Sequence, residues 1–194
     1  MFKHYSEYLE DINIAKNSID KSLLRKFVDV NNLWCDLYCL PSYNNQTYYC
    51  EVYKKENDVY IIYAKNSLYY HDLMCYIKTR TFKEAFDARI SNPPSNIICG
   101  IVKASDNFIM LLKKYVNNIN PNYVYNYYDH NVIIIDGIIQ CIRVYNNNNT
   151  IYKSAYYNFI NEINKGMFID EKEIELANNF FEFVNNEIGL QENT

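Results

Sequence analysis

Few residues in this chain of 194 stand at spacings that could do chemistry. His71-Asp72 and Asp129-His130 are its only His–carboxylate neighbours. A nucleophile site could be assembled from Cys99 or Cys141 with His130 as base, although ordinary surface and core roles account for the same residues more simply. Cys35 and Cys39, read as i and i+4 on a helix, could ligate a metal, but a structural zinc site needs a second pair that the sequence does not offer. Glu51-x-x-Lys54 on a strand, with a distant Asp, has the spacing of a nuclease site, and satisfied surface charge explains it as well. Tyr123 to Tyr128 could be a stacking platform for single-stranded RNA; an edge strand packed by alternate tyrosines needs fewer assumptions. These residues define no catalytic, metal or cofactor site, and the expectation is a protein that is not an enzyme and needs no cofactor.

Composition narrows the class. A hydrophobic fraction of 49% and a charged fraction of 22% suit a globular protein with a real core. Four Gly and four Pro argue against glycine-rich phosphate loops and long linkers. Heavy use of Asn, Tyr, Ile and Lys is that of an AT-rich genome, as in large DNA viruses, protists or some bacteria. The net charge of −4 is uneven: residues 161–194 carry −6 and residues 1–160 therefore +2. A general nucleic-acid binder shows a clear basic field, and this chain does not. The six cysteines lack C-x-x-C spacing and read as small hydrophobes. No apolar run follows Met1–Tyr5, so no signal peptide is expected. The longest aliphatic run, Val132 to Ile135, falls far below the ~20 residues of a membrane span. A soluble, cytoplasmic, reduced protein follows, with no membrane partner.

The elements that would position any site come next. Residues 8–16 permit a strand, with a helix across 5–28 as the competing reading. Val30, Leu33, Trp34, Leu37 and Tyr38 recur at helical spacing around the only Trp and predict a short amphipathic helix ended by Pro41. Thr47–Lys54 and Asp58–Lys65 predict a hairpin with a polar tip, Lys55-Glu56-Asn57. Ser67 to about Ile90 reads as helix, and Asn96–Lys103 as a buried strand. Phe108, Leu112, Tyr115, Val116 and Ile119 fit a helix capped by Ser105; a turn at 105–107 into a strand Phe108–Lys113 fits too. Val132–Ile135 and Ile138–Tyr145 flank Asp136-Gly137, a two-residue hairpin turn. Thr150–Lys153 permits a further strand. Tyr156, Phe159, Ile160 and Ile163 stripe a helix ended by Gly166. A last helix starts at Asp170 with Glu173, shows Ile174, Ala177, Phe181, Val184 and Ile188 on one face, and ends at Gly189. The class is α+β with a largely antiparallel sheet: a single domain, 1–194, divided into a sheet-containing core, 1–145, and a C-terminal helical extension, 146–194.

Lys26-Phe27-x-x-Val30-x-x-x-Trp34-x-x-Leu37-Tyr38 resembles the first helix of the eukaryotic mRNA cap-binding translation initiation factors, the 4E family. The hairpin at 47–65, the helix at 67–90 with His71-Asp72-Leu73, and Ile98-Cys99-Gly100-Ile101-Val102 follow in the family's order, over roughly residues 9–114. The resemblance implies a curved sheet backed by helices. It also makes Phe108–Lys113 a sixth strand, in preference to the helix; an alternative threading puts the fifth and sixth strands at 131–145. It implies a monomer that binds a capped mRNA 5′ end on one face and a scaffold subunit on the other, through Val30, Trp34 and Tyr38. Both stacking Trp residues of the family are missing; the resemblance offers Tyr49, Tyr53 or Tyr60 to replace one ring, Glu56 to read the guanine edge and Lys103 to hold phosphate. The alternative is a viral host-modulating or bacterial immunity-type interaction module with no nucleotide ligand.

Overall fold

A computed structural model of the chain describes residues 13, 15–41, 48–65, 98–119, 123–126, 137–160 and 171–189. Helix α1 covers residues 15–21 and runs into two 3-10 turns, Leu23–Phe27 and Val30–Asn32. A polar side chain opens each turn. Ser22 Oγ accepts from the Leu24 N–H at 3.3 Å, and Asp29 Oδ1 from the Asn31 N–H at 2.9 Å.

The stretch around Trp34 is a strand, β1 (Leu33–Pro41), where a helix is expected. The physical reason is its place in the sheet. β2 (Tyr48–Lys55), β3 (Asp58–Lys65) and β4 (Ile98–Lys103) form a meander on one side of it. β6 (Gly137–Tyr145) and β7 (Ile151–Ile160) lie on the other, with β5 (Tyr123–Asn126) parallel to β7 at the far edge. The order is β4-β3-β2-β1-β6-β7-β5, so β1 is central and its two faces are both covered. A strand buried on both faces loses its alternation, and a short apolar run then fits either period. Trp34 is the extra residue of a bulge: Leu33 pairs with Tyr53 while Cys35 pairs with Val52. Six of the strands form an open, curved antiparallel sheet, and with the helices this gives the α+β class.

One face of the sheet carries two helices. α2 (Asp106–Asn118) is the helix that Ser105 caps, its Oγ accepting from the Phe108 N–H at 3.1 Å. This corrects the strand that the family resemblance implies for Phe108–Lys113: the stripe of Phe108, Leu112, Tyr115 and Val116 is buried at helical spacing. α3 (Glu171–Gly189) lies beside it and buries Ala177, Phe180, Phe181, Val184 and Ile188. Tyr115 stacks on Phe180 at 4.4 Å between centroids. The two helices are tied at their ends by Glu187, which accepts from the Ser105 N–H at 2.6 Å and its hydroxyl at 3.0 Å. Tyr48 Oη donates to the Phe181 carbonyl at 2.8 Å, joining α3 to β2.

Three further expectations change. Residues 151–160 are β7, an integral strand, so a helix does not begin at Tyr156 and the segment from 146 is not a purely helical extension. The Asn146–Asn149 loop closes the β6–β7 hairpin, with Asn146 Oδ1 accepting from the N–H groups of Asn148 and Thr150, each at 3.0 Å. β4 pairs only with β3 among the described residues and is half-exposed rather than buried. Its Gly100 stands opposite Tyr63, whose ring lies where a Cβ would be; an aromatic covering a glycine across an edge strand restores the packing that the glycine lacks. The helix expected at 67–90, the Asp136 side of the expected hairpin, and both His–carboxylate pairs lie outside the described residues.

Candidate functional site

The other face of the sheet is covered by the segment from α1 through the 3-10 turns, and under it lies a polar cluster that an ordinary core would not hold. Asp36 on β1 stands opposite Glu51 on β2 and opposite Arg143 on β6. The two carboxylates are 3% and 1% exposed, so each needs a cation and hydrogen bonds. Arg143 meets Asp36 at two points, Nε to Oδ1 at 2.7 Å and Nη2 to Oδ2 at 2.5 Å. Arg25, from the covering segment, meets Glu51 in the same two-pronged way, Nε to Oε2 at 3.0 Å and Nη2 to Oε1. Such fork-to-fork pairs are the strong form of the ion pair. Asp20 on α1 takes a third nitrogen of Arg25.

Three tyrosines complete the cluster. Tyr53 Oη donates to Glu51 Oε2 at 2.6 Å and Tyr145 Oη to Asp36 Oδ2 at 2.8 Å. Tyr49 Oη lies 3.0 Å from Glu51 Oε1 and 3.3 Å from Asp36 Oδ2, linking the two pairs. Burial, and then the charge of these carboxylates, pushes all three phenols up from their ordinary values, so they stay protonated as donors. Burial alone would lower the Arg25 and Arg143 pKa values; Glu51 and Asp36 outweigh it and raise both. Every oxygen of the two buried carboxylates has a donor. The arrangement clamps the covering segment to the sheet.

The clamp fixes a segment whose outer side is apolar. Ala15, Ile19 and Val28 face the sheet and are buried, Ile19 and Val28 contributing about 1.5–3 kcal/mol each. Leu23, Phe27 and Val30 are 74%, 46% and 51% exposed. The Phe27 ring rests edge-on against Tyr60 at 5.1 Å, with Lys55 Nζ 3.8 Å from its centroid. Lys55 also donates to the Phe27 carbonyl at 3.2 Å.

The residues singled out in the sequence fall as follows. Val30, Trp34 and Tyr38 share no helix face: Val30 is exposed on a 3-10 turn, Trp34 is half-buried against the helical side with Lys54 Nζ 4.3 Å from its ring, and Tyr38 is buried on the opposite face. Tyr49 and Tyr53 are buried and bonded to Glu51, so neither turns a ring face to solvent. Glu56 is exposed in the β2–β3 turn with a left-handed φ of 56°. Lys103 is exposed at the end of β4 and pairs with Asp58 at 2.8 Å. Lys103 and Tyr53 both stand beside Tyr60, so those three share a face, while Tyr49 lies four residues from Tyr53 along β2. Glu51 belongs to the clamp rather than to a pair with Lys54, which is exposed.

Burial pushes Cys39 and Cys141 up to about 12 and raises Cys35, Cys50 and Cys99. Cys35 and Cys39 are buried on β1, and no group of metal-ligating side chains occurs among the described residues. Arg25, Asp36, Arg143 and Tyr145 were not evident beforehand. Two signals were present: an Asp inside an apolar run, and Tyr49-x-Glu51-x-Tyr53 alternating on one strand face. Compared with known protein families, curated proteins and solved structures, the chain matches none of them. Among the described residues, no helix is long and apolar enough to cross a membrane.

Proposed function

We propose that the protein is a non-catalytic protein-interaction module whose contact surface is the outer side of residues 21–30. One observation carries this reading: Leu23, Phe27 and Val30 stand exposed on a short segment that the Arg25–Glu51 pair holds to the sheet. Holding a binding segment in place reduces the ordering cost of association, and large apolar side chains in such a place act as interface anchors. The fully hydrogen-bonded carboxylates of the polar cluster and the raised thiol pKa values support a role without chemistry. Capture from a lysate of the source cells, with wild-type chain and a Leu23→Asp/Phe27→Asp variant side by side, tests it. A partner kept by the first and lost by the folded second is the expected result; identical captures refute the surface.

A second reading, a cap-binding translation factor with a scaffold subunit, is favoured by the neighbourhood of Phe27, Tyr60 and Lys103. Two aromatic rings there lie beside an exposed cation, with Glu56 in the adjoining turn. A cationic base stacks on such rings, and each stacked base contributes about 1–3 kcal/mol. Retention on cap-analogue resin that Lys103→Ala and Glu56→Ala weaken is the result this reading expects. A folded chain that passes through the resin leaves the interaction module alone.

A further inference from the structure

β4 is the edge strand beside β3 in the seven-stranded sheet, and it lacks the devices that keep an edge from pairing with another chain. It is six residues long, Ile98-Cys99-Gly100-Ile101-Val102-Lys103, contains no proline, and pairs with β3 in a register that no bulge interrupts. Its single charge, Lys103, stands at the end and is engaged by Asp58. Ile98 is 46% exposed, and Cys99, Gly100 and Ile101 are half-exposed. The other edge, β5, is only four residues long. Backbone alternation decides which groups of β4 are available. The Ala104 N–H donates to the Val59 carbonyl at 2.9 Å, one step beyond the Tyr60–Lys103 pair. Bonded and non-bonded positions alternate along an antiparallel pair. Val102, Gly100 and Ile98 therefore bond to β3 as Ala104 does, while Lys103, Ile101 and Cys99 turn their N–H and C=O groups to the open edge.

We propose that two copies of this chain pair antiparallel through β4, with Ile101 of each copy opposite Ile101 of the other. A two-fold axis at Ile101 sets Cys99 of one copy opposite Lys103 of the second, and the reverse. Every outward N–H and C=O of the strand then meets its complement. A register shifted by one residue sets outward groups against inward ones, and a shift by two leaves one residue of each copy unmatched. The strand is thus complementary to itself, and such an interface closes at two copies. The side chains agree with the backbone. Cys99 and Ile101 pack partly against the cluster under the covering segment, so the two Ile101 side chains meet on that face and gain burial. The two Lys103 side chains stand at opposite ends of the pairing, where no like charge faces them. This inference is independent of the interaction reading above, and it departs from the monomer that the family resemblance implies.

Sedimentation velocity of the full chain over a concentration series should show a dimer that dissociates on dilution. Only in this register does residue 101 meet its own copy, and that allows a sharp test. Ile101→Lys and Ile101→Glu should each weaken self-association about tenfold, because like charges then stand directly opposite. An equimolar mixture of the two variants should associate again, as opposite charges meet. Hydrogen exchange on the unaltered chain gives a measure that does not depend on how the variants fold. The amides of Cys99, Ile101 and Lys103 should gain protection with rising concentration, while those of Gly100 and Val102 stay protected throughout. A folded chain that remains monomeric at ~1 mM overturns the proposal. So does a dimer that both variants leave unchanged, or one in which the amides of Cys99, Ile101 and Lys103 exchange equally at all concentrations. Variants that separate the copies and do not recombine when mixed overturn the pairing about Ile101.

Discussion

Removing Arg25 tests whether the clamp is the source of order in the covering segment. Arg25→Ala deletes two bonds to Glu51 and one to Tyr53 Oη at 3.3 Å. It strands a carboxylate that is 1% exposed. Breaking a fully buried pair costs about 3–5 kcal/mol. Two features reduce that figure here. Glu51 keeps the hydroxyls of Tyr49 and Tyr53, and the Arg25 side chain is 18% exposed, so its own desolvation is incomplete. The expected loss is therefore about 2–3 kcal/mol. Glu51→Gln leaves an arginine that can still turn to Asp20 and to water, and should cost about 1–2 kcal/mol. In the double variant no charge is stranded, so its cost should stay near that of Arg25→Ala alone, a coupling of about 1–2 kcal/mol. Urea unfolding measures all three, and the slope should not change if the folded and unfolded states keep their exposed areas. Native-state hydrogen exchange adds the location: amides of residues 15–28 should lose protection in Arg25→Ala before those of β1 and β2 do. Additive single-site costs, or a loss under about 0.5 kcal/mol as for an exposed pair, would refute the clamp.

Three further outcomes follow from the geometry. Gly100→Ala places a methyl group on the Tyr63 ring, and forcing that ring aside should cost about 1–3 kcal/mol in thermal or urea unfolding; a neutral result would mean the ring moves freely. Glu187→Ala removes the acceptor for the Ser105 N–H and hydroxyl and should cost about 1.5–3 kcal/mol, whereas Glu187→Gln, which can still accept, should cost less than half as much in the same scan. Stability should be level through neutral pH and fall in alkali. Cys39 is raised from its ordinary 9.0 to about 12, so the folded state holds a proton that the unfolded chain gives up; the contribution is full below pH 9 and is lost between 9 and about 12. That one thiol accounts for up to ~4 kcal/mol at about 1.36 kcal/mol per unit, and the raised phenols add to the same slope above pH 10. Chemical unfolding at a series of pH values checks the sign; stability rising above pH 9 would contradict it.

The legible parts of this fold are those whose signals are local. The β2–β3 hairpin was readable from two β-rich runs about a polar tip, and α3 from its apolar stripe and C-terminal glycine. For α2 the sequence admitted both a helix capped by Ser105 and a strand from Phe108, and the family resemblance favoured the strand; burial of Phe108, Leu112 and Tyr115 on one face, which depends on distant packing, makes it a helix. β1 was not readable because what makes it a strand is distant. Asp36 looks like the solvent side of a helix until Arg143, 107 residues away, is seen to neutralise it. The clamp was half legible for the same reason. Tyr49, Glu51 and Tyr53 alternate on one strand, so their common face could be inferred, but nothing near them names Arg25 as the cation. β7 misled through coincidence, since Tyr156, Phe159 and Ile160 match a helical period by spacing alone.

The same cluster explains why a sheet covered on both faces settles on one register. A slip of one residue in β1 would turn Asp36 toward the side where Cys35, Leu37 and the α3 aromatics pack. An apolar residue could make that exchange at little loss, because both faces of β1 are hydrophobic. A carboxylate could not, since burying it without a cation costs several kcal/mol and a slip reverses every side chain of the strand at once. Glu51, Asp36 and Arg143 stand in line across β2, β1 and β6, so the penalty applies to both pairings of the central strand. The pairs themselves yield little net stability, because desolvation takes back most of the Coulomb gain. What they supply is discrimination between arrangements that hydrophobic burial alone would leave nearly equal. Arg25 then extends that discrimination from the sheet to the segment above it, which carries the exposed Leu23, Phe27 and Val30.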